Sequence, residues 1–600
     1  MKLTKGNPLI INHLHYWLTR ETGCWIGAGL TICFLTLLST SCSKRFTEES
    51  MAKTKSTTTE GSTTSRRADK SHRRELVGPD PIVRIGLIEE YDRLSFSVKG
   101  EFEFVSLTGK PLEIESIQEV KWTVAPDRTE EARAVFSILT TAFADRDSAD
   151  DLRRKLSTAD EQARIAEIGE EIYIDGRKVA DNLKYRVLVG RYATEREARE
   201  HLDPFREGFA PRVIRQIVRQ ATGTIELSRE SDGFSTPVEE GFRIIPKDSD
   251  SKVTMFDVRE GTGFHWEREV DRTYPGIIEV RIDHRGLLMA FTELSIETYL
   301  KGVVPSEMPA SFPLESLKAQ AIAARSEVLA KIGVKHPNDP FDLCAHVHCQ
   351  AYTGCTNEDE RSSRAVDETR GQVLMKGGEV AEAVYSSSCG GHTEDKLNVW
   401  NPPAADHLRG GWDAPDSLGP EFEKLNLTSE IDANRWVDSK PAAWCNTAKF
   451  PDLPNILRRS EENFRWEVTY TRRELEDIIK RKSGEDIGQL IDVIPLGRGV
   501  SGRLLEIEIH GSKKNLRIQR ELNIRATLSL KYLKSACFTI KSDVGEDGRP
   551  VRFHLRGAGW GHGVGMCQVG AGVMATQDKK SKEILKHYYP GTLIEQVYGG

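Results

Sequence analysis

The sequence predicts an α+β protein of several domains. Three observations carry that reading. A chain of 600 residues is longer than one hydrophobic core can organise. Apolar and polar residues alternate at strand spacing in two separated blocks, one opening at Pro81 and one at Phe242. Helical spacing recurs elsewhere, most clearly where Leu314, Leu317, Ala321, Ala324, Val328 and Ile332 share one face. Hydrophobic residues make up 38% and charged residues 29%, the balance of a folded soluble body, and a net charge of -7 gives no footing for nucleic acid.

Residues 1–42 read as an export signal. Lys2, Lys5 and Arg20 form a basic lead, and Trp25 to Leu38 is almost uninterrupted apolar or small sequence, too short for a comfortable span. The stretch ends Leu38-Ser39-Thr40-Ser41-Cys42. Small residues before a cysteine resemble a bacterial lipoprotein cleavage site with Cys42 lipidated, although Ser39 stands where an aliphatic residue is usual. Ordinary cleavage and an uncleaved anchor are the alternatives, and all three export the chain. The expected location is the cell envelope, on the periplasmic side and tethered to a membrane. Residues 43–80 read as a disordered linker, rich in Ser, Thr, Lys and Arg and nearly free of aliphatics.

From Pro81, Ile82–Leu87 and Leu94–Phe104 read as an opening β segment within 81–115. Residues 116–240 read as an inserted α/β region. Thr129–Phe143 and Ser148–Ile168 look helical, and Tyr185–Tyr192 alternates as a strand. Thr194 and Glu197 form a capping box for a helix to about Phe205, and Val213–Ile217 returns as a strand. This βαβ unit, about 183–218, resembles a SPOR domain, a module that binds glycan strands stripped of their stem peptides. A plain α/β spacer is the other reading. Strands resume at Arg243–Ile245, Val253–Val258, Gly276–Ile282 and Leu287–Phe291.

These strands lead to Pro305-Ser306-Glu307-Met308-Pro309. Two prolines flanking a carboxylate predict a stiff, non-helical turn between a short helix (Ser295–Lys301) and the long one that Pro313 opens. A carboxyl held between apolar pieces suits a raised pKa. The stretch Tyr299 to Arg325, YLKGVVPSEMPASFPLESLKAQAIAAR, resembles the core motif of the SpoIID/LytB family of peptidoglycan-acting proteins. A second hallmark follows in the family's order, Gly559-Trp560-Gly561-His562-Gly563-Val564-Gly565-Met566-Cys567-Gln568-Val569-Gly570-Ala571. Together they place a SpoIID-like catalytic domain over 241–600. The family's best-characterised members are lytic transglycosylases. The resemblance implies Glu307 as acid/base, Ser306 beside it as a substrate contact, and Trp560 and His562 as sugar-binding or acid-orienting groups.

After the long helix, His336, Cys344, His346, His348 and Cys349 fall within fourteen residues. Thiolate and imidazole donors are what Zn²⁺ takes in a tetrahedron. Cys344-x3-His348-Cys349 resembles a metal loop of some SpoIID proteins, which implies His336 as fourth ligand with His346 as competitor. Such a four-ligand site would be structural. A disulfide between Cys344 and Cys349 also suits an oxidising compartment, and both readings stay open.

Glu379–Tyr385 reads as a strand running into Ser386-Ser387-Ser388-Cys389-Gly390-Gly391-His392-Thr393-Glu394. The family has a similar GGxTE loop at its active site, which implies substrate contacts for His392, Thr393 and Glu394, with His392 where Tyr is usual. A Cys389–Cys445 disulfide is expected, with Cys567 a buried free thiol. Trp400–Phe464 reads as long loops, and Thr471–Lys482 as a helix capped by Thr471 and Glu474. Ile491–Pro495 and Leu504–His510 read as strands, and Ile524–Leu533 and Ser581–His587 as helices.

The resemblance implies cleavage between N-acetylmuramic acid and N-acetylglucosamine of peptide-stripped strands, leaving 1,6-anhydro ends, with Glu307 as the one acid/base. Hydrolysis with Asp342, Glu394 or Asp395 as a second carboxylate is a further option. Part of the family enhances cell-wall amidases instead, so the alternative is a glycan-binding scaffold whose partners are amidase or division proteins.

Overall fold

The computed structural model describes residues 72–599, except 158–161, 203–204, 206–210, 262–266, 401–403 and 416–423. Cys42, the signal and most of the linker lie outside them. Among the described residues no helix is long and apolar enough to cross a membrane.

The architecture is mixed α+β in several parts. Two six-stranded sheets supply one side of the large core. One runs Leu343–Cys344, Ile82–Tyr91, Leu288–Ser295, Ile277–Ile282, Gly241–Pro246, Phe102–Ser106. The other runs Phe234–Glu239, Thr222–Arg229, Trp122–Glu130, Leu94–Lys99, Lys252–Glu260, Arg268–Tyr274. Their inward residues form an aromatic seam in which Phe104 meets Trp122 at 4.9 Å and Phe102 at 5.2 Å between ring centres. Strands 122–130, 222–229 and 234–239 thus share a sheet with strands outside 116–240, and the inserted part is narrower than the sequence reading drew it.

That inserted part is a four-stranded antiparallel sheet ordered Arg212–Arg219, Arg133–Phe143, Lys184–Tyr192, Ala163–Ile168, with helices at Arg146–Leu156 and Glu195–Glu200. The chain order is β-α-β-β-α-β. Most of Thr129–Phe143, expected as a helix, is therefore strand, and so is Ala163–Ile168. Phe136, Ile138 and Leu139 find partners on both sides, Val135 on one and Thr141 on the other, and that pairing outweighs the helix-forming Glu and Ala nearby. The Thr194 cap is present, with its side chain accepting from the Glu197 N–H at 3.2 Å. Glu197 reaches back to Ala193 instead of Thr194.

A hairpin, Glu171–Ile174 with Arg177–Asp181, leaves this unit and joins the main core through Ile172, Ile174, Val179 and Ala180. Arg73–Leu76, expected within the disordered linker, is a strand that pairs in parallel with Glu171–Ile174 and buries Leu76.

Residues 465–558 carry a separate small core around Ile479, Ile507, Ile509 and Leu555. Its helix Arg472–Ser483 has the expected capping box between Thr471 and Glu474. Ile524–Leu533 is helical only as Glu521–Thr527, and Glu379–Tyr385 is reduced to two short pieces, Glu379–Val380 and Tyr385–Ser386.

Candidate functional site

Three helices position the site: α1 (Ile296–Glu307), α2 (Leu314–Lys331) and α3 (Gln568–Thr576). Ser295 caps α1 by accepting from the Thr298 N–H at 3.1 Å. Glu307 is the last residue of α1 and Pro305 lies inside it, so residues 305–307 of the expected non-helical turn are helical and the connection to α2 runs over 308–313. Pro305 sits in the final turn, where its missing N–H weakens one bond while burial of Val303 and Val304 holds the helix in place. Pro309 then forces Met308 to extended φ −136°, ψ 122°, and α1 stops there. α2 is buried nearly all round, including Gln320, Arg325 and Ser326, which makes it the central rod of the core.

The Glu307 side chain is half-buried, and burial pushes its carboxyl up to about 7. One group opposes this: the Ala351 N–H donates to Oε1 at 2.6 Å. The Glu307 carbonyl accepts from Gln568 Nε2 at 3.0 Å, which ties the end of α1 to the start of α3. Ser306 donates to the Gly302 carbonyl at 2.6 Å and meets Thr353 Oγ1 at 2.8 Å. These bonds fix its hydroxyl at the end of α1.

His336, Cys344, His348 and Cys349 converge, with one donor atom from each lying within 4.8 Å of the others. Cys349 Sγ is 3.4 Å from His336 Nε2 and 3.6 Å from His348 Nδ1, and Cys344 Sγ is 3.7 Å from that same Nδ1. These are close to the edges of a tetrahedron with bonds of ~2.0–2.3 Å. His336 Nδ1 bonds Asp339 at 2.8 Å, the outer contact that aims Nε2 inward. The donor set suits a metal ion, and the two sulfurs remain thiols. His346 is not in the cluster.

This loop continues into Gln350 and Ala351, so the same few residues hold the cluster and touch Glu307. Gln350 accepts from the Tyr385 hydroxyl at 2.7 Å. Burial pushes the Tyr385 phenol well up, and the Glu307 charge adds to it.

Glu307 lines a cleft of about 1890 Å³ whose walls include Gln350, Tyr385, Lys396, Trp400, Trp560, His562 and Gln568, together with Arg186 and Arg212 of the inserted unit. The two hallmark stretches therefore meet in one cavity. Trp560 is 37% exposed, and His562 lies edge-on to Trp400 at 4.7 Å, with Nδ1 accepting from the Val564 N–H. Sequence reasoning missed Tyr385, Gln350 and Gln568 because none carries a signal outside its spatial setting.

His392, Thr393 and Glu394 are not among the residues lining this cleft. His392 is buried against Trp412 at 4.5 Å and bonds the Thr393 carbonyl at 2.7 Å, and burial pushes its imidazole down to about 4. Thr393 exchanges bonds with Gly411. Glu394 is fully buried and accepts from the Asp395, Val500 and Ser501 N–H groups, from Asn398 and from the Ser501 hydroxyl at 2.6 Å. These three organise the loop and have no open face toward a sugar. The other carboxylates considered as partners of Glu307 are likewise engaged: Asp342 with Arg74 and the Arg84 N–H, Asp395 with the Gly410 N–H. Cys389 and Cys445 are neighbours, 3.6 Å apart, and both are thiols.

Comparison with known proteins agrees with this arrangement. A family profile described as Stage II sporulation protein matches residues 284–375, which hold Glu307 and the His/Cys cluster. An uncharacterized protein of Brachyspira hyodysenteriae is 32% identical over 315 residues, covering 52% of this chain and 70% of that one. The chain belongs to the SpoIID family. Stage II sporulation protein D of Bacillus subtilis is 25% identical over 321 residues, or 51% of this chain and 75% of the relative. The amidase enhancer of Bacillus subtilis is 29% identical over 306 residues, and there the SpoIID-like chain spans 40% of the relative's length. A SPOR domain profile matches residues 132–215. It begins well before the expected 183 because the strand Arg133–Phe143, the helix Arg146–Leu156 and the strand Ala163–Ile168 belong to the unit. A profile for a domain of unknown function matches 394–565, the part that brings Trp560 and His562 to the cleft.

Proposed function

We propose that this chain cuts peptidoglycan glycan strands as a lytic transglycosylase, with Glu307 as the sole acid/base. Membership of the SpoIID family, with a SPOR unit beside it, supports a cell-wall role. The single observation that carries the finer reading is a carboxyl poised near neutrality on the wall of a large cleft. As acid, Glu307 protonates the oxygen leaving from the muramic acid anomeric carbon. As base, it takes the proton from that sugar's own 6-hydroxyl, which closes the 1,6-anhydro ring. No water and no second carboxylate are needed, in keeping with the engagement of Asp342, Glu394 and Asp395 elsewhere. Ala351 holds Oε1, so Oε2 is the oxygen presented to the sugar. Trp560 and Trp400 offer faces on which sugar rings stack. A Zn²⁺ held by His336, Cys344, His348 and Cys349 would clamp the loop that carries Ala351. The SPOR unit, which contributes to the cleft wall, raises the local concentration of naked strands. Export and a membrane tether through Cys42 complete the proposal and place the work in the periplasm.

The second reading rests on similarity to the amidase enhancer: a glycan-binding scaffold that aids an amidase and cuts nothing itself. Mass spectrometry of naked strands digested with the full chain and with Glu307→Gln separates the two. Anhydro-ended fragments from the first alone support the transglycosylase. Binding without cleavage by both moves the chain to the scaffold class.

A further inference from the structure

A second cluster of metal-binding side chains lies deeper, away from the His336 loop. It draws on four distant points of the chain. Cys389 comes from the glycine loop, Asp413 follows Trp412, Cys445 ends the Trp444 segment, and Cys567 is the N-cap of α3. Exposure is 3%, 1%, 0% and 0% respectively. One donor atom from each lies within 4.8 Å of the others. Cys389 Sγ is 3.6 Å from Cys445 Sγ, near the ~3.8 Å edge of a tetrahedron with ~2.3 Å metal–sulfur bonds, and 3.0 Å from Asp413 Oδ2.

The surroundings are built for charged ligands. Asp413 has Oδ1 held by the Tyr588 hydroxyl at 2.9 Å and His587 Nε2 at 3.0 Å, which leaves Oδ2 aimed at the sulfurs. Three backbone N–H groups point at sulfur: Cys389 and Gly570 at Cys567 Sγ (3.3 and 3.4 Å), and Gly391 at Cys389 Sγ (3.3 Å). Such bonds favour thiolate over thiol. Gly390 and Gly391 take φ of +78° and +104°, the fold-back that turns the Gly391 N–H toward its neighbour's sulfur. Arg503 donates to the Cys389 carbonyl at 3.2 Å and Arg465 to the Gly390 carbonyl at 2.9 Å. Three thiolates and a carboxylate around a dication carry two net negative charges, and these guanidiniums stand beside them to offset the two.

We propose that Cys389, Asp413, Cys445 and Cys567 bind a second, structural metal ion, a thiophilic dication of the zinc class. On binding, each thiol that was protonated releases its proton and four protein–metal bonds form. The site joins the glycine loop to the start of α3, whose Gln568 holds the Glu307 carbonyl. It does not depend on what Glu307 does.

The test is metal content of the full chain purified in reductant with zinc supplied, together with zinc-edge X-ray absorption. Two zinc per chain are expected, falling to one in Cys344→Ser/Cys349→Ser. The ion that remains should show three sulfurs and one oxygen. On the unmutated chain, a chelator should release zinc and make Cys389, Cys445 and Cys567 open to alkylation together, which needs no variant to fold. A folded Cys344→Ser/Cys349→Ser chain that holds no zinc overturns the proposal. So does a Cys389–Cys445 disulfide found by peptide mapping under those conditions, or alkylation of the three sulfurs that zinc does not alter.

Discussion

The Ala351 N–H donates to Glu307 Oε1 at 2.6 Å, and Ala351 stands two residues after Cys349. The His/Cys cluster therefore sets where the acid points. Cys344→Ser/Cys349→Ser should lower kcat for release of anhydro ends by on the order of 10²-fold, the usual effect of a displacement of ~1 Å in a reacting group. KM for naked strands should change little, because the cleft walls and the SPOR unit stay. Initial rates over a range of strand concentrations decide it, and an unchanged kcat would sever the loop from the chemistry.

The Glu307 carboxyl, pushed up to about 7 by burial, gives a pH dependence with a definite sign. Its folded-state value lies above its unfolded one, so it favours folding when protonated. That contribution is complete below about 4.5 and is lost as pH rises through about 7. Glu307→Gln should then be more stable than the unmutated chain at pH 8, by no more than about 3 kcal/mol, and equal to it near pH 4.5. Denaturant titrations at the two pH values check this. In the active chain, kcat should fall on the alkaline side of about 7 as the acid form disappears.

Glu394 offers the opposite case, a buried carboxylate with every oxygen in use. Gly499 makes room for it, since a Cβ there would lie 2.4 Å from Glu394 Oε2. Glu394→Ala strands the Asn398, Val500 and Ser501 donors and should cost roughly 3–5 kcal/mol. KM of the protein that remains folded should be unchanged. A raised KM at full stability would return Glu394 to the substrate.

These residues also show what could be read from the chain alone. Glu307, Trp560 and His562 stood out because each lies in a long local motif, and the cleft joins those motifs. The His336 cluster was legible because its four residues are close in sequence. Asp413 with Cys567 was not, since those residues are 154 positions apart and only the folded loop aims them at each other. His392 and Glu394 are buried and outside the residues lining the cleft, and a polar side chain beside glycines looks the same in sequence whether it faces a ligand or a buried N–H. Thr129–Phe143 failed for a similar reason, as its strand character comes from partners on either side.

The core around α2 contains one buried ion pair that holds α1 to it. Arg325 donates to both oxygens of Glu297, at 2.8 and 2.7 Å, and Tyr598 donates to Oε1 at 2.6 Å. Burial pushes the Glu297 carboxyl up, but the Arg325 and Tyr598 contacts hold it below the ordinary range. Glu297→Ala should cost roughly 3–5 kcal/mol by leaving the fully buried Arg325 unpaired. Glu297→Ala/Arg325→Met should recover much of that loss, as thermal unfolding of the two variants would reveal. Equal loss in both would mean the charge itself is not the cause.

The strand Arg73–Leu76 carries a mechanical consequence. It lies in parallel against Glu171–Ile174, and Arg74 grips Asp342, two residues before Cys344. Any tension on the chain ahead of Arg73 enters through this strand. The load runs along the strand axis, so its backbone bonds share it side by side instead of opening one at a time. From there it passes to the Glu171–Asp181 hairpin and, through Arg74 and Asp342, to the segment that runs on to Ala351. A pull from the N-terminal side would therefore be felt at the segment whose Ala351 N–H bonds Glu307.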